Sequence, residues 1–104
     1  MPVTDSTVFE IGSITKQFAA AAALLLVQDG RLNLDDPIHR HLSYLPSEWL
    51  GVTVRQLLNH TSGIESGFKS EWKSDARKRE SLEELVIGLP MTSKPGEKWD
   101  YSNS

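Results

Sequence analysis

The longest apolar run of the chain is Phe18 to Val27, with alanine at every position from Ala19 to Ala23 and then Leu24, Leu25, Leu26 and Val27. Strong helix formers dominate residues 14–28, so an α-helix is predicted there. Apolar positions fall nearly all round this helix, and such a helix is expected to be buried on several sides. Before it, Thr7–Ile11 is rich in β-branched and aromatic residues and reads as a short extended segment. Gly12 breaks that segment, and Ser13 or a neighbour is placed to cap the helix. Asp29-Gly30 ends it, since glycine suits the left-handed position past a last turn.

Downstream the pattern weakens. Leu32 and Leu34 alternate with polar residues in a turn-rich connector that reaches Pro37. Residues 38–42 fit one helical turn, and Pro46 stops it. Thr53 and Gln56 have the spacing of a capping box ahead of Val54, Leu57 and Leu58. This short helix is expected to end near Asn59-His60, with Ser62-Gly63 as a turn. Residues 67–80 are polar and aperiodic and are expected to form the most mobile loop. Ser81 and Glu84 make a second capping box, opening a helix over residues 82–89 that Pro90 ends. Pro95-Gly96 signals a turn, and residues 99–104 read as extended or loop.

Composition narrows the classes. The chain has 104 residues, enough for one small domain or a piece of a larger one. Its net charge of −3 argues against a nucleic-acid partner, which would meet a basic face. Arg77-Lys78-Arg79 is the nearest basic run, but Asp75, Glu80, Glu83 and Glu84 surround it, and it reads as solvated surface. The same balance weighs against a helix-turn-helix reading of residues 54–64. With no cysteine, disulfides and thiolate metal sites are excluded. His39, His41 and His60 lack metal-ligand spacing with a third ligand and take structural readings, and no cofactor is expected. Residues 18–27 are too short to span a bilayer, so no transmembrane segment is predicted. No basic stretch of the signal-peptide kind precedes them.

Candidate chemistry sits at the two ends. Ser13 and Lys16 are three apart, a spacing that puts both on one face of a helix. A helix amino terminus favours negative charge developing on the serine oxygen. A desolvated lysine has its neutral form within reach and can take the serine proton. The Ser-x-x-Lys spacing alone is weak, because Ser66/Lys69 and Ser70/Lys73 repeat it in the polar stretch. Only Ser13 stands where a glycine ends an extended run and an apolar helix begins. Taken by itself, Ser13 reads more readily as a plain cap. The triplet Tyr101-Ser102-Asn103 shifts the balance: a tyrosine can relay a proton to a leaving group. An asparagine can orient the lysine and hold a substrate amide.

The blocks that carry these residues resemble a known family. Phe9-Glu10-Ile11-Gly12-Ser13-Ile14-Thr15-Lys16-Gln17-Phe18 looks like the nucleophile region of the β-lactamase-related serine hydrolases. That family includes class C β-lactamases, D-alanyl-D-alanine carboxypeptidases and related esterases. The likeness continues through residues 29–37 and 52–64 and through Pro95–Asn103, in the family's order. The resemblance implies Ser13 as acylated nucleophile, Lys16 as activating base, Tyr101 as proton relay and Asn103 as the group that positions lysine and substrate. It implies the Ser13 backbone N–H as one oxyanion donor. The implied fold class is mainly α, with at most short strands: the helical lobe of the family's α+β fold. Residues 1–104 would then be a single incomplete domain. A Lys or His strand motif does not follow Asn103, nor does the sheet portion that carries it, so the isolated chain is expected to be inactive. The implied substrate is a small-molecule or peptide acyl compound, whether β-lactam, D-alanyl peptide or ester, and the implied parent protein is exported. A non-catalytic alternative is a helical module that self-associates through its apolar helix or binds a partner completing the fold.

Overall fold

The structure is a computed structural model that describes residues 1–67, 84 and 86–104. The lysines of the two additional Ser-x-x-Lys pairs, the Arg77–Arg79 run, the loop expected over residues 67–80 (apart from Gly67) and the expected Ser81 cap lie outside the described residues. The chain forms two compact units, Met1–Leu32 and Asn33–Ser104. Helix and irregular backbone prevail, with little strand. Among the described residues, β-pairing is limited to the isolated antiparallel bridges Pro37–Thr53 and Ile64–Met91.

In the first unit, helix α1 spans Thr15–Gln28 and follows a single 3₁₀ turn, Gly12–Ile14. The helix thus begins within one residue of the predicted start. Of the two expected positions for the cap, Ser13 or a neighbour, the neighbour Ile14 takes it, with no side-chain hydrogen bond, and Ser13 lies inside the 3₁₀ turn. Gly12 makes this possible with φ of +52°, a left-handed conformation that disfavours a β-carbon. Residues 7–11 form no strand, since no neighbour in the described chain offers them a ladder. The carboxyl end closes as a Schellman motif. Gly30, at φ +71°, donates to the Val27 carbonyl at 3.0 Å, and Arg31 N–H donates to the Leu26 carbonyl at 2.9 Å.

The expected all-round burial of α1 does not occur. The helix carries no buried residue, and Phe18, Leu24 and Leu25 are exposed. Partly covered positions are Lys16, Ala20, Ala23 and Val27. They recur at helical spacing, so α1 has one covered stripe, and Lys16 stands at its amino-terminal end.

The second unit is organised by its core of Ile38, Trp49, Val52, Ile64 and Leu89, with Leu45, Val54, Val86 and Met91 packed against it. Ile38 begins a 3₁₀ turn, Ile38–Arg40, where a helical turn was predicted. Trp49 ends another, Ser47–Trp49, which the apolar pattern did not reveal. Helix α2 covers Val54–Leu58. Its capping box is complete: the Gln56 N–H donates to Thr53 Oγ1 at 3.3 Å, and the Thr53 N–H donates to Gln56 Oε1 at 3.0 Å. Asn59 follows as the helix's carboxyl cap, as the sequence predicted.

Backbone bonds tie the connector to this helix. Ile38 N–H reaches Val52 O at 2.9 Å, Val54 N–H reaches Asp36 O at 3.1 Å, and Arg55 N–H reaches Leu34 O at 2.8 Å. The Arg55 guanidinium then grips Asp35 with Nε at 2.8 Å and an Nη at 3.2 Å. That hydrogen bond, with the charge of Arg55, holds the Asp35 carboxyl below the usual carboxylate range, against a smaller opposing effect of desolvation. For Asp36, desolvation pushes the carboxyl up. The hydrogen bonds from His41 and the Asn33 N–H, with Arg40 nearby, outweigh it and leave the group lowered.

Two measurements check this packing. Thr53→Ala removes one side of the capping box and is expected to lower stability by about 1 kcal/mol in urea unfolding. A depressed carboxyl stabilises the fold above its unfolded pKa, and that contribution disappears as pH falls through the folded pKa. Asp35→Asn is therefore expected to shrink the loss of stability on acidification, leaving the share that Asp36 supplies.

Candidate active site

Ser13 and Lys16 are brought together in the first unit. Lys16 Nζ donates to Ser13 Oγ at 3.4 Å, a long contact just beyond the usual N–H···O range. The geometry comes from the change of helix type. The 3₁₀ turn carries Ser13 onto the amino-terminal end of the fourteen-residue α1, and Lys16 follows within its first turn. Ser13 is exposed and Lys16 is half-buried, so the hydroxyl meets solvent while part of the lysine stem is covered.

Tyr101 and Asn103 belong to the second unit, in the run from Trp99 to Ser104. This run has no regular structure, yet it is fixed along its length by residues 60–67. Asp100 N–H donates to the His60 carbonyl at 2.9 Å. Ser102 N–H donates to His60 Nδ1 at 3.3 Å. Asn103 N–H donates to Ser66 Oγ at 3.2 Å. Ser104 Oγ donates to the Glu65 carbonyl at 2.5 Å and accepts from Gly67 N–H at 3.1 Å. Ring contacts complete the attachment. The Tyr101 ring lies 4.6 Å from the His60 imidazole at a 32° tilt, and Trp99 meets the same imidazole edge-on at 6.2 Å.

The clamp needs a tight reversal between α2 and Ile64. His60 takes φ of +61° and Gly63 φ of +80°. Thr61 N–H returns to Gln56 O at 2.9 Å, and Thr61 O accepts Gly96 N–H at 2.7 Å. Gly63 O accepts Thr92 N–H at 2.7 Å. A β-carbon on Gly63 would run into the Ser93 carbonyl oxygen, so only glycine fits. The predicted turn at Pro95-Gly96 is present: Glu97 N–H donates to Lys94 O at 3.0 Å, with Gly96 at φ +81°.

From the sequence His60 takes only a structural reading. Its contacts to four successive residues of the tail, Trp99 to Ser102, were missed, as was the Ser66–Asn103 bond. The signal available was the joint presence of the 52–64 and 95–103 blocks, which hints that the two pack together without saying through which atoms. Among the described residues, no group of three His, Asp or Glu stands close enough to hold a metal ion. None of the helices there is long and apolar enough to cross a membrane.

The family model described as Beta-lactamase matches residues 1–104. The chain belongs to the β-lactamase family. Among similar proteins, Protein flp of Staphylococcus aureus (strain MRSA252) is 39% identical over 107 residues, covering 96% of this chain and 21% of the relative. Penicillin-binding protein 4* of Bacillus subtilis (strain 168) is 36% identical over 109 residues, covering 99% of this chain and 24% of the relative. The crystal structure of D-amino acid amidase from Ochrobactrum anthropi SV3, complexed with L-phenylalanine, superposes with a TM-score of 0.81 at 34% identity. It covers 99% of this chain and 29% of the amidase. The chain thus spans about a fifth to a quarter of the length of these curated relatives. That family is the β-lactamase-related serine hydrolase family.

The Gly63 turn supplies a test of how the tail is held. Gly63→Ala is expected to cost at least about 1–2 kcal/mol from the left-handed backbone alone, and more from the collision with Ser93. Urea unfolding measures the loss, and aromatic circular dichroism should show the His60–Tyr101–Trp99 environment weakened in parallel.

Proposed function

We propose that this chain carries the nucleophile and proton-handling segment of a serine hydrolase acting by acyl transfer. The substrate is a small acyl compound, whether β-lactam, D-amino-acyl amide or peptide, or ester. The observation that carries the reading is the Lys16 Nζ to Ser13 Oγ contact at the head of α1, within a chain of this family. In the first step Ser13 Oγ attacks the acyl carbonyl carbon, and its proton passes to neutral Lys16. The Ser13 backbone N–H is one donor to the oxyanion. The bond to the leaving group breaks as Tyr101 delivers a proton to it and takes up in turn the proton held on Lys16, while Asn103 orients Lys16 and the substrate amide. Water then cleaves the Ser13 ester, releasing the acid and restoring the hydroxyl.

This mechanism requires Tyr101 and Asn103 to stand beside Ser13 and Lys16 in the working enzyme. It also makes the chain the helical-lobe part of a larger α+β fold, a single incomplete domain whose remaining residues supply further site groups. Alone, the chain is then inactive. The exposed Phe18, Leu24 and Leu25 of α1 favour a second reading, in which the chain works by association and α1 is a surface for a second copy or for a partner that completes the fold.

Kinetics on the full-length protein separate these. Ser13→Ala is expected to remove hydrolysis of an activated ester and labelling by a fluorescent penicillin. Lys16→Met should slow labelling by about a hundredfold or more, the range seen when a general base is lost. Undiminished hydrolysis in Ser13→Ala would overturn the site, and a compact, stable monomer in light scattering would overturn the association reading.

A further inference from the structure

We infer that His60 is the positioning residue for the Tyr101 phenol. This inference rests on the proton-relay reading of Tyr101 and adds to it the group that holds the relay in place. One residue makes contacts on both sides of Tyr101 and on its ring. The His60 carbonyl holds the Asp100 N–H, its Nδ1 holds the Ser102 N–H, and its imidazole lies against the phenol ring between them. Both peptide neighbours of Tyr101 are thereby fixed by the residue its side chain packs on. The phenol's two torsions are then limited by a ring 4.6 Å away, with Trp99 closing the imidazole's edge.

Two features single out the imidazole rather than a generic turn residue. His60 is the one non-glycine residue with positive φ among the described residues. Glycine or asparagine would adopt that backbone with less strain, so a histidine there marks a side chain with work to do. Its Nδ1 also accepts a hydrogen bond from a peptide N–H, which requires the lone pair on Nδ1 and places the neutral ring's proton on Nε2. No aliphatic or phenyl side chain supplies that acceptor. His60 itself touches no reacting atom in this assignment. It acts through Tyr101, and a small displacement of a catalytic group is enough to slow chemistry about a hundredfold.

A double-mutant cycle on the full-length protein tests this, using the acylation rate with a fluorescent penicillin as readout. Tyr101→Phe measures the relay. His60→Gly removes ring and acceptor while keeping the left-handed backbone. It is expected to slow acylation about ten- to a hundredfold, with the dissociation constant of the non-covalent complex within about twofold of the parent. In the double variant, loss of His60 should add little to the loss of Tyr101. His60→Asn retains the backbone and a hydrogen-bonding oxygen, and it should recover part of the rate. It also serves as the comparison if His60→Gly does not fold. Multiplying rate losses in the double variant, or a wild-type rate in folded His60→Gly or His60→Asn, would overturn the positioning role while leaving the relay standing. A wild-type rate in Tyr101→Phe would instead overturn the relay, and the role of His60 with it.

Discussion

The second unit depends on one reversal of the backbone between residues 59 and 64, made by two left-handed residues. His60 and Gly63 turn the chain back on itself immediately after α2, at φ of +61° and +80°. Described residues from Leu89 onward are placed against that reversal. The 89–97 segment pairs with it through Thr92, Gly96 and the Ile64–Met91 bridge. The tail from Trp99 to Ser104 then follows residues 60–67. The core residue Ile64 sits at the exit of the turn, so the hydrophobic cluster and the attachment of the tail share one anchor. A change that opens the turn would loosen both, because neither segment has regular structure of its own to fall back on.

The first unit works on different physics. Its site comes from a change of helical pitch rather than from packing. A glycine in a left-handed conformation admits one 3₁₀ turn, and that turn delivers Ser13 to the start of a long helix with Lys16 close behind. The aligned peptide dipoles favour negative charge at that end. The lysine belongs to the only stripe of α1 that is partly covered, which is the side where its stem loses water. Exposure of the serine and partial cover of the lysine are compatible with the roles of nucleophile and base proposed for them.

Much of this was legible in the sequence where the signal is local. The α1 helix, its glycine-terminated end, the Thr53–Gln56 capping box and the Pro95-Gly96 turn each follow from residues within a few positions of one another. The pairing of Ser13 with Lys16 followed from helical spacing. Three features were not legible. The Ser47–Trp49 turn has no periodic pattern, and only the buried indole explains it. That the neighbour Ile14, with no side-chain hydrogen bond, takes the cap position follows from the 3₁₀ turn, which holds Ser13 inside it. The grip of His60 on the tail spans about forty residues, and no spacing rule reaches that far. The ordered blocks told which family the chain belongs to. They did not tell which atoms join one block to another.

The central claim is that Ser13 is the group that becomes acylated. Intact-mass spectrometry of the full-length protein after brief exposure to a penicillin, followed by peptide mapping, reads this out directly. A single adduct on the peptide that contains Ser13, absent when that serine is replaced by alanine, is the expected result. An adduct of the same mass on another serine, with Ser13 unmodified, would contradict it.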